Sequence, residues 1–381
     1  MRVVYASFDE VPSFKAASTH ILANCRALAS AAGGRRYRLD LVSLGELVLP
    51  PFAGFRHRPV CFREGNYLRR GERFRDHVRR LVVSDRPDLL HFRGPWEGLA
   101  AAERGIPAIY EVNGLPSIEL PYLYRDANPR VLDILRGWEQ RCLDAAAAIV
   151  CPSERIRQCL LNRYRIDQPS LIRVIPNGYD PVVAVPPPPA GEEVKAVYLG
   201  TLHPWQGIHW ALRALAAVTQ HYRLDIYGIG SRAWLRQAER RIVRHGLSGR
   251  VRLLPPLDRG RWSTTLPGYH VGLAPLIKTA RNTEQGCCPV KIMDYLAHGL
   301  ITVAPDLAVV RPLIQHRRNG WLYPPNCLHG LSAALGEIHQ HRPLLPALRR
   351  QVLASLDELP TWAECGSRLR EVYDAVASAR R

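Results

Sequence analysis

Short apolar segments alternate with amphipathic segments along nearly the whole of this chain. The apolar segments lack the strict polar–apolar alternation of a sheet with one wet face, so they indicate strands that are buried on both faces. Strands that alternate with helical segments are typical of parallel βα units. In the first half of the chain, the predicted strands are Val3–Ala6, Leu39–Leu44, Leu89–Phe92, Ala108–Val112, Ala147–Cys151 and Leu171–Ile175.

The second half repeats this pattern, with helices between the strands. One predicted helix of the first half begins near Ser18, and another covers Glu154–Arg163 behind an N-cap at Ser153. The last predicted helix begins at Trp362. The predicted strands of the second half are Ala196–Leu199, Leu224–Tyr227, Val251–Leu254, Val271–Leu276 and Ile301–Ala304.

A proline-rich stretch separates the two halves. Pro186–Pro189 cannot lie in a helix or a central strand, because proline lacks the backbone N–H that both would use. The stretch follows a turn at Asn177-Gly178 and is typical of an extended linker. A chain of 381 residues is long enough for two domains. We predict a first domain at 1–183, a linker at 184–190, a second domain at 191–360 and a C-terminal helix at 361–381.

The formal net charge of +18 favours anionic partners. The densest basic cluster has the apolar residues Phe74 and Val78 among its members, which are Arg63, Arg69, Arg70, Arg73, Arg75, Arg79 and Arg80. A solvated helix face explains this cluster, and so does a face that binds an anionic membrane surface. No nucleic-acid-binding motif accompanies the charge, so we expect no nucleic-acid partner.

Cysteine usage and the amino terminus bear on the compartment. The nine cysteines show no C-x-x-C spacing, and their odd number favours reduced thiols. The apolar run at Val3–Ala6 is too short for a signal peptide, and the chain has no run of about 18 apolar residues. We therefore expect a cytoplasmic protein, with peripheral contact at the inner face of the membrane left open. We interpret Cys287-Cys288 as small residues that fill a tight turn.

The segment from Cys287 to Gly299 is the strongest indication of a ligand site. It predicts a tight turn, a short helix and a glycine that ends this helix before the next strand. A helix N-terminus presents free backbone N–H groups and a partial positive charge, which suit a phosphate. Lys291 adds a full charge there, and Asp294 can accept hydrogen bonds from sugar hydroxyls. In an α/β chain this combination indicates a nucleotide-sugar site.

Two glycine-containing loops follow other strands of the second half. Gly200–Gly207 comes after the first of these strands, and Gly228-Ile229-Gly230 comes after the second. Ligands of doubly wound sheets bind outside the carboxyl ends of the strands. We therefore expect both loops to face the same crevice as the helix start near Gly286–Lys291.

Seven segments, in the same order along the chain, resemble those of a known family, the retaining glycosyltransferases of the GT-B fold in family 4. They are Leu89–Arg93, Tyr110–Gly114, Ile149–Glu154, Val174–Asp180, Tyr198–Gly207, Pro289–Gly299 and Asn319–Pro325. The last four are similar to the family's "vipNGvD", "vGrl…KG", "P-l-K-l-f-E-y-m-a-x-G" and "nG-l-x-p-p" segments, respectively. The resemblance implies an α/β protein of the GT-B fold, with two Rossmann-like, doubly wound parallel-sheet domains that face a deep interdomain cleft.

The resemblance also implies an activity. Such an enzyme transfers a sugar from a nucleotide-sugar, here a UDP- or GDP-sugar, to a glycan, glycolipid or small molecule with retention of the anomeric configuration, for example in polysaccharide biosynthesis. The donor would bind the second domain and the acceptor mainly the first, and the helix at 361–381 would cross back to the first domain. The resemblance implies no metal and no cofactor besides the nucleotide-sugar co-substrate.

Of the two acids in the family's E-x7-E motif, this chain has an acid only at the position of the second. Asp294 matches the second acid, which binds the ribose hydroxyls of the nucleotide. The first acid falls at Gly286, which has no side chain, and Glu284 is a nearby replacement. The donor-binding prediction that follows from the resemblance comprises Gly200, Thr201, Gln206, Gly207, Gly228, Gly286, Cys287, Cys288, Pro289, Val290, Lys291 and Asp294.

The family's phosphate-binding cations are missing at their usual positions. They fall at Thr201 and Gln206, which are uncharged. We therefore predict that Lys291, the backbone amides of residues 286–288 and Arg281 neutralise the diphosphate.

The first domain supplies the predicted acceptor side and the catalytic candidates. Lys15, Ala16 and Ser18 occupy the position of the family's "gGa" loop and are acceptor-side candidates. The predicted catalytic residues are Asn113, which aligns with a frequent family histidine, Glu111 and His20. Structural roles as core or capping residues explain Glu111 and His20 as well.

Two other functions stay open. A nucleotide-sugar epimerase of the same fold would need acid and base side chains around the sugar, which the bare Gly286 disfavours. A catalytically silent homologue that binds nucleotide or glycan is favoured by the uncharged Thr201 and Gln206.

Overall fold

The computed structural model describes residues 1–30, 37–50, 54–124, 126–183, 188, 191–218 and 221–379. It consists of two halves, each built on a parallel sheet flanked by helices. The predicted linker at 184–190 lies outside the described residues except for Pro188.

The first half holds seven strands and six α-helices among its described residues. The strands are β1 (Arg2–Glu10), β2 (Arg38–Leu44), β3 (Phe55–Val60), β4 (Leu89–Phe92), β5 (Ala108–Glu111), β6 (Ala148–Cys151) and β7 (Ile172–Val174). The helices are α1 (Ala16–Ala29), α2 (Tyr67–Asp85), α3 (Pro95–Arg104), α4 (Pro116–Leu123), α5 (Pro129–Asp144) and α6 (Glu154–Arg163). All strands run parallel in the order β3-β2-β1-β4-β5-β6-β7, so the sheet is doubly wound about β1 and β4.

The second half repeats this architecture with six described strands. They are β8 (Val194–Thr201), β9 (Tyr222–Ile229), β10 (Val251–Leu254), β11 (Val271–Leu273), β12 (Ile301–Pro305) and β13 (Gly320–Tyr323). The helices are α7 (Ile208–Ala217), α8 (Arg232–Arg244), α9 (Trp262–Thr265), α10 (Val290–Ala297), α11 (Leu328–Gln340), α12 (Leu345–Ala354) and α13 (Trp362–Ser378). The parallel order is β10-β9-β8-β11-β12-β13, which places β8 and β11 at the switch point.

The edge strands β3 and β13 were not predicted from the sequence. β3 has no continuous apolar run, and β13 is only four residues long, GWLY. β3 reads FRHRPV, and only Phe55 and His57 in it are buried. Several predicted strand ends were also wrong. For example, β1 ends at Glu10 rather than Ala6, and β11 ends at Leu273 rather than Leu276, two residues before Pro275. The first helix begins at Ala16, slightly before the predicted Ser18.

Helix α2 carries most of the basic cluster, and its apolar side faces inward. Phe74 and Val78 are fully buried in the core of the first half. The exposed side presents Arg69, Arg73 and Arg80. No helix in the described part of the chain is both long enough and apolar enough to cross a bilayer.

The C-terminal helix α13 packs against α1 in the first half. Trp362 and Tyr373 are buried in the same core as residues of β1 and α1. Gly366 lies at the closest approach, because a Cβ placed on it would be 2.1 Å from the Cβ of Ala27. Glycine at 366 therefore allows the two helices to touch.

We predict that Gly366→Ala destabilises the protein by about 1 to 3 kcal/mol, because the added methyl group forces α13 away from α1. Gly137→Ala in α5 is the matched control. A Cβ at Gly137 would meet nothing within 4 Å, so this change should be neutral or should stabilise by up to about 1 kcal/mol. Urea denaturation measures both free energies of unfolding. Equal effects of the two substitutions would contradict the helix contact.

Candidate functional site

A cleft of about 1060 Å³ lies between the two halves. The first half lines it with residues that follow the carboxyl ends of β1, β4, β5 and β6. The second half contributes His203 and Trp205, after β8, and the turn at 281–290, which leads into α10. The edge of the sheet at which doubly wound proteins bind ligands therefore faces this cleft in both halves.

The 281–290 turn ends in a helix start without a side-chain cap. Arg281–Gln285 forms one π-helical turn, Gly286 follows with φ +89°, and Pro289 is the N-cap of α10. Pro289 has no side-chain acceptor, so the N-cap residue leaves the first amides of α10 without a side-chain hydrogen bond. Such a helix start can accept an anion.

Lys291 lies in the first turn of α10 beside the loop after β8. Its Nζ donates a hydrogen bond to Gln206 Oε1 at 2.7 Å and lies 4.1 Å from the centre of the Tyr198 ring. Gly200 leaves room for the ammonium, since a Cβ there would be 3.4 Å from Nζ. Burial, together with the nearby charge of Arg281, lowers the pKa of Lys291 to about 7. Gln206 therefore orients the lysine instead of supplying a second charge.

Arg281 provides another cation at the cleft. Its Nε donates to Glu119 Oε1 of the first half at 3.1 Å, and its guanidinium lies 5.5 Å from the centre of the Trp205 ring. The side chain is 16% exposed and lines the cleft next to Cys287. Arg281 is thus placed between the two halves by an ion pair that joins them.

Asp294 is buried on α10 and pairs with a residue that the sequence analysis missed. Arg259 donates to Asp294 Oδ1 and to Asp180 Oδ2, both at 3.1 Å. The same guanidinium lies 3.4 Å from the hydroxyl oxygen of Thr19, in the first half. Burial raises the pKa of Asp294 to about 6, although the Arg259 charge opposes this rise. The carboxylate is therefore held beside a cation at the boundary between the halves.

Gly286 is the position at which a side chain would meet the other half of the molecule. A Cβ there would lie 2.7 Å from Cγ of Arg155 on α6. Glu284 is exposed and does not line the described cleft. Gln285 is fully buried instead, accepting from the Leu115 amide at 3.0 Å and donating to Glu119 at 2.9 Å.

The other predicted donor residues have packing or backbone roles. Gly207 has φ +68°, and a Cβ on it would be 1.8 Å from the carbonyl oxygen of Pro275. Gly228, in β9, packs against the side chains of Leu202 and Leu253. The carbonyl of Thr201 accepts from the Tyr198 hydroxyl. Cys287, Cys288 and Val290 line the cleft directly.

Glu111 is the centre of a buried polar cluster at the end of β5. Its side chain is 1% exposed. Oε2 accepts from the Tyr5 hydroxyl at 2.6 Å and from Asn24 at 3.0 Å. Asn113 donates to Oε1. The remaining neighbours within 3.5 Å of the carboxylate are His20, His91 and Arg93.

These neighbours keep Glu111 ionised. Burial opposes the negative charge, but the His20 and Arg93 side chains hold the pKa of Glu111 well below its usual range. His20 and Asn113 both line the cleft. The three predicted catalytic residues therefore lie together, with Glu111 beneath the other two.

The predicted acceptor-side residues are close in the chain but differ in exposure. Lys15 and Ala16 line the cleft. Lys15 is 47% exposed, with Nζ 3.9 Å from Glu10. Ser18 is buried and accepts from the Ser13 amide at 3.0 Å, so it stabilises the turn before α1.

Three residues near the boundary between the halves were not predicted as site residues. Arg259 is one of 52 lysines and arginines, and only its buried partner Asp294 distinguishes it. Arg93 and Asn177 lie in segments that resemble the family, Leu89–Arg93 and Val174–Asp180, but their side-chain contacts became visible only in the structure.

Two family models match the chain. The model described as Glycosyltransferase Family 4 matches residues 17–183. The model described as Glycosyl transferases group 1 matches residues 193–341. Among curated proteins, no match was found.

Solved structures resemble the chain over nearly its whole length. Sucrose-phosphate synthase from Thermosynechococcus elongatus has a TM-score of 0.79 and 15% identity and covers 100% of both chains. Anabaena HepE in complex with UDP and glucose has a TM-score of 0.74 and 13% identity, covering 98% of this chain and 100% of its own. The catalytic domain of starch synthase IV from Arabidopsis thaliana, bound to ADP and acarbose, has a TM-score of 0.73 and 12% identity, with 99% of each chain covered. The predicted GT-B fold is thereby confirmed.

We predict that pyrophosphate binds at the start of α10 with uptake of protons at pH 8. Lys291 is largely neutral above its lowered pKa of about 7, and a bound anion favours the protonated ammonium. Calorimetry in buffers of different ionisation enthalpy measures the uptake.

Lys291→Met should weaken this binding about 10- to 100-fold and abolish the proton uptake, because it removes a charge-assisted hydrogen bond. Lys195→Met, which changes an exposed lysine of β8, is the control and should leave both quantities unchanged. Unchanged affinity in Lys291→Met would refute the role assigned to Lys291.

Proposed function

The chain belongs to the group 1 glycosyltransferases, family 4, and on that premise we propose that it transfers a sugar from a UDP- or GDP-sugar to a glycan, glycolipid or small-molecule acceptor, with retention and without a metal. The observation that carries the proposal is the uncapped start of α10, with Lys291 in its first turn and with Arg281, which lines the interdomain cleft, nearby. UDP is the first nucleotide to test, because it is bound in the structure of HepE.

In this proposal the donor diphosphate lies at the start of α10. The helix amides, Lys291 and Arg281 bind its oxygens and stabilise the charge that develops as the bond from the anomeric carbon to the phosphate oxygen breaks. Two side-chain cations then replace those that the family has at the positions of Thr201 and Gln206. Tyr198 and Gln206 hold the lysine in place.

Asp294 would bind the ribose of the nucleotide. The Asp294 carboxylate is buried, and the positively charged Arg259 donates a hydrogen bond to it. A ribose hydroxyl donating to Asp294 would share the carboxylate with Arg259 or displace it. The Arg259 guanidinium also lies 4.8 Å from the centre of the Trp262 ring. This cation–π contact would remain if a ribose hydroxyl displaced Arg259 from Asp294.

We propose that Glu111 positions other groups instead of reacting itself. Its two oxygens already accept from Tyr5, Asn24 and Asn113 and face two histidines and Arg93. A carboxylate so fully paired is a poor base or nucleophile. Asn113 and His20, which line the cleft, are then the groups that can approach the sugar.

We propose that the donor itself assists the transfer, because Glu111 is already fully paired. The acceptor hydroxyl forms the new bond on the face that the phosphate leaves, and its proton goes to the departing phosphate oxygen. This route gives retention. In the described part of the chain, no group of three or more His, Cys, Asp and Glu side chains is arranged to hold a metal ion. We assign the neutralisation of the diphosphate to Lys291 and Arg281, which lie near the start of α10.

An assay of sugar transfer tests the proposal. The full-length protein is incubated in EDTA with UDP- and GDP-sugars and a panel of glycan and glycolipid acceptors, and NMR determines the anomeric configuration of the product. We predict an α-linked product from an α-linked donor, and a kcat/KM at least about tenfold lower in Arg281→Gln, which removes a stabilising charge. Lys195→Met is the control.

Other outcomes of this assay would contradict the proposal. A product of inverted configuration would refute retention. Interconversion of the donor sugar without transfer would indicate an epimerase. Nucleotide binding with neither reaction would indicate a catalytically silent homologue, which the uncharged Thr201 and Gln206 favour.

We also propose peripheral contact of α2 with an anionic membrane surface. Because its apolar side is buried, charge alone would mediate this contact. Sedimentation with anionic vesicles should therefore occur at low salt, vanish at high salt and weaken in the triple variant Arg69→Gln, Arg73→Gln, Arg80→Gln. The matched control replaces the exposed arginines Arg232, Arg236 and Arg240 of α8. Equal loss in both variants, or no sedimentation at low salt, would contradict a specific role of α2.

A further inference from the structure

Glu97 is a buried acid in the wall of the cleft that the proposed reaction does not use. It lies in the first turn of α3, lines the cleft and is 0% exposed. Its Oε1 accepts from the backbone amide of Phe8 at 3.2 Å and from that of Arg93 at 3.3 Å. Its Oε2 has no hydrogen-bond partner among the described residues. Contacts with β1 and with the turn before α3 therefore explain one oxygen of this carboxyl group and leave the other unexplained.

Gly94 leaves a space beside the unpartnered oxygen. It is the N-cap of α3 and also lines the cleft. A Cβ on Gly94 would lie 3.5 Å from Oε2 of Glu97. Apart from the neighbouring residues in the chain, its three nearest atoms would all belong to that carboxyl group. The space that a side chain would fill at this position is therefore open, and Oε2 borders it.

The unpartnered oxygen is a hydrogen-bond donor at neutral pH. Burial raises the pKa of Glu97 to about 8, although hydrogen bonds from backbone amides oppose the rise. Because Oε1 already accepts from two amides, the proton of the neutral acid is on Oε2. A buried donor without an acceptor is unfavourable, so a ligand oxygen at this position would complete the site.

Three aromatic rings that also line the cleft adjoin Glu97. The ring centres of Phe8 and Tyr67 are 5.5 Å apart, and the Trp96 ring centre is 6.0 Å from each of them. Phe8 contacts Glu97 through its amide, and Trp96 precedes Glu97 in α3. The C–H face of a pyranose ring packs against aromatic rings, while its hydroxyl groups hydrogen-bond to nearby polar groups. Aromatic rings beside a buried donor therefore suit a sugar ring.

We propose that this part of the cleft is a subsite for a pyranose ring of the acceptor, with one sugar hydroxyl bound to Glu97 Oε2 and the ring packed on Phe8, Tyr67 and Trp96. This role rests on the proposed function, and it narrows the acceptor to a free glycan or the headgroup of a glycolipid. The subsite belongs to the first half, whereas the donor is proposed to bind the wall that the second half contributes. Acceptor and donor would thus bind opposite walls of one cleft.

Saturation-transfer difference NMR with simple sugars tests the subsite without requiring turnover. The probes are the methyl glycosides of glucose, galactose, mannose and N-acetylglucosamine, and the aromatic protons of the full-length protein are irradiated. We expect at least one probe to bind and to receive most saturation at the C–H groups of one ring face. The signal should persist in excess UDP, because the donor is proposed to bind the opposite wall. No signal from any probe, or a signal that UDP abolishes, would overturn the proposal.

Substitutions of Glu97 and Gly94 locate the bound sugar. Glu97→Met removes the donor and should weaken binding of the probe about tenfold, whereas Glu97→Gln keeps an N–H donor and should stay within about threefold of the wild type. Gly94→Ala fills the space beside Oε2 and leaves Glu97 in place, so it should also weaken binding about tenfold. Gly137→Ala, at a position where a Cβ meets nothing within 4 Å, is the matched control.

Gly94→Ala remains informative if Glu97→Met does not fold, because it keeps both amide contacts of Glu97. Wild-type affinity for the probe in Gly94→Ala, with a wild-type circular dichroism spectrum, would refute the subsite beside Oε2.

Octyl glycosides of the same sugars, used below their critical micelle concentrations, distinguish the two sources of the sugar ring. Tighter binding of the octyl form than of the methyl form would indicate a glycolipid headgroup, and equal binding would indicate a free glycan. Either result supports the subsite if Gly94→Ala weakens the binding of both forms. Binding of the octyl form alone, with no effect of Gly94→Ala, would overturn the proposal.

Steady-state kinetics of sugar transfer give a second readout. Gly94→Ala should raise the KM for the acceptor about tenfold and leave the KM for the nucleotide-sugar unchanged. A rise in the KM for the nucleotide-sugar alone would contradict a role in acceptor binding. Because the NMR experiment measures sugar binding without turnover, a protein that binds the sugar beside Glu97 but transfers none would refute the proposed function and leave the subsite intact.

Discussion

The ionised carboxylate of Glu111, buried at the end of β5, is the interaction on which the first half depends. Water cannot solvate this charge, so the protein must surround it with donors and cations. β1, α1 and β4 each supply at least one of these groups, through Tyr5, Asn24 and Arg93. Through His91 and Tyr373 the same cluster reaches α13, the last helix of the chain. Removing the carboxylate would leave several buried donors without a partner.

The two halves meet around the anion site proposed for the second half. Gly286 allows close contact with α6, Arg281 and Gln285 bind Glu119, and Arg259 approaches Thr19. The groups that would bind the donor are therefore also those that join the halves. Donor binding and the relative position of the halves should consequently depend on each other.

Much of the fold could be predicted because buried parallel strands have a strong sequence pattern. Ser153 capped α6 as predicted, and β4 and β10 had their predicted ends. The edge strand β3 was not predicted, because polar and charged residues interrupt its apolar ones, whereas the edge strand β10 was predicted from its apolar sequence. Asp294 and Lys291 followed from a local motif. Arg259 and Asn177 did not, because their importance comes from partners far away in the chain, such as Asp294 and Cys288.

The central proposal is that a nucleotide binds along α10 at the boundary between the halves, with its diphosphate at the start of the helix and its ribose at Asp294. Thermal unfolding of the wild type and of Asp294→Asn in the presence of UDP, GDP, ADP or CMP tests this claim most directly. A nucleotide at about a hundred times its Kd should stabilise the wild type by about 2.7 kcal/mol. We expect one nucleotide to raise the Tm of the wild type in this way. The same nucleotide should raise the Tm of Asp294→Asn little or not at all, relative to the ligand-free variant. No rise with any nucleotide, or an equal rise in both proteins, would contradict the proposal.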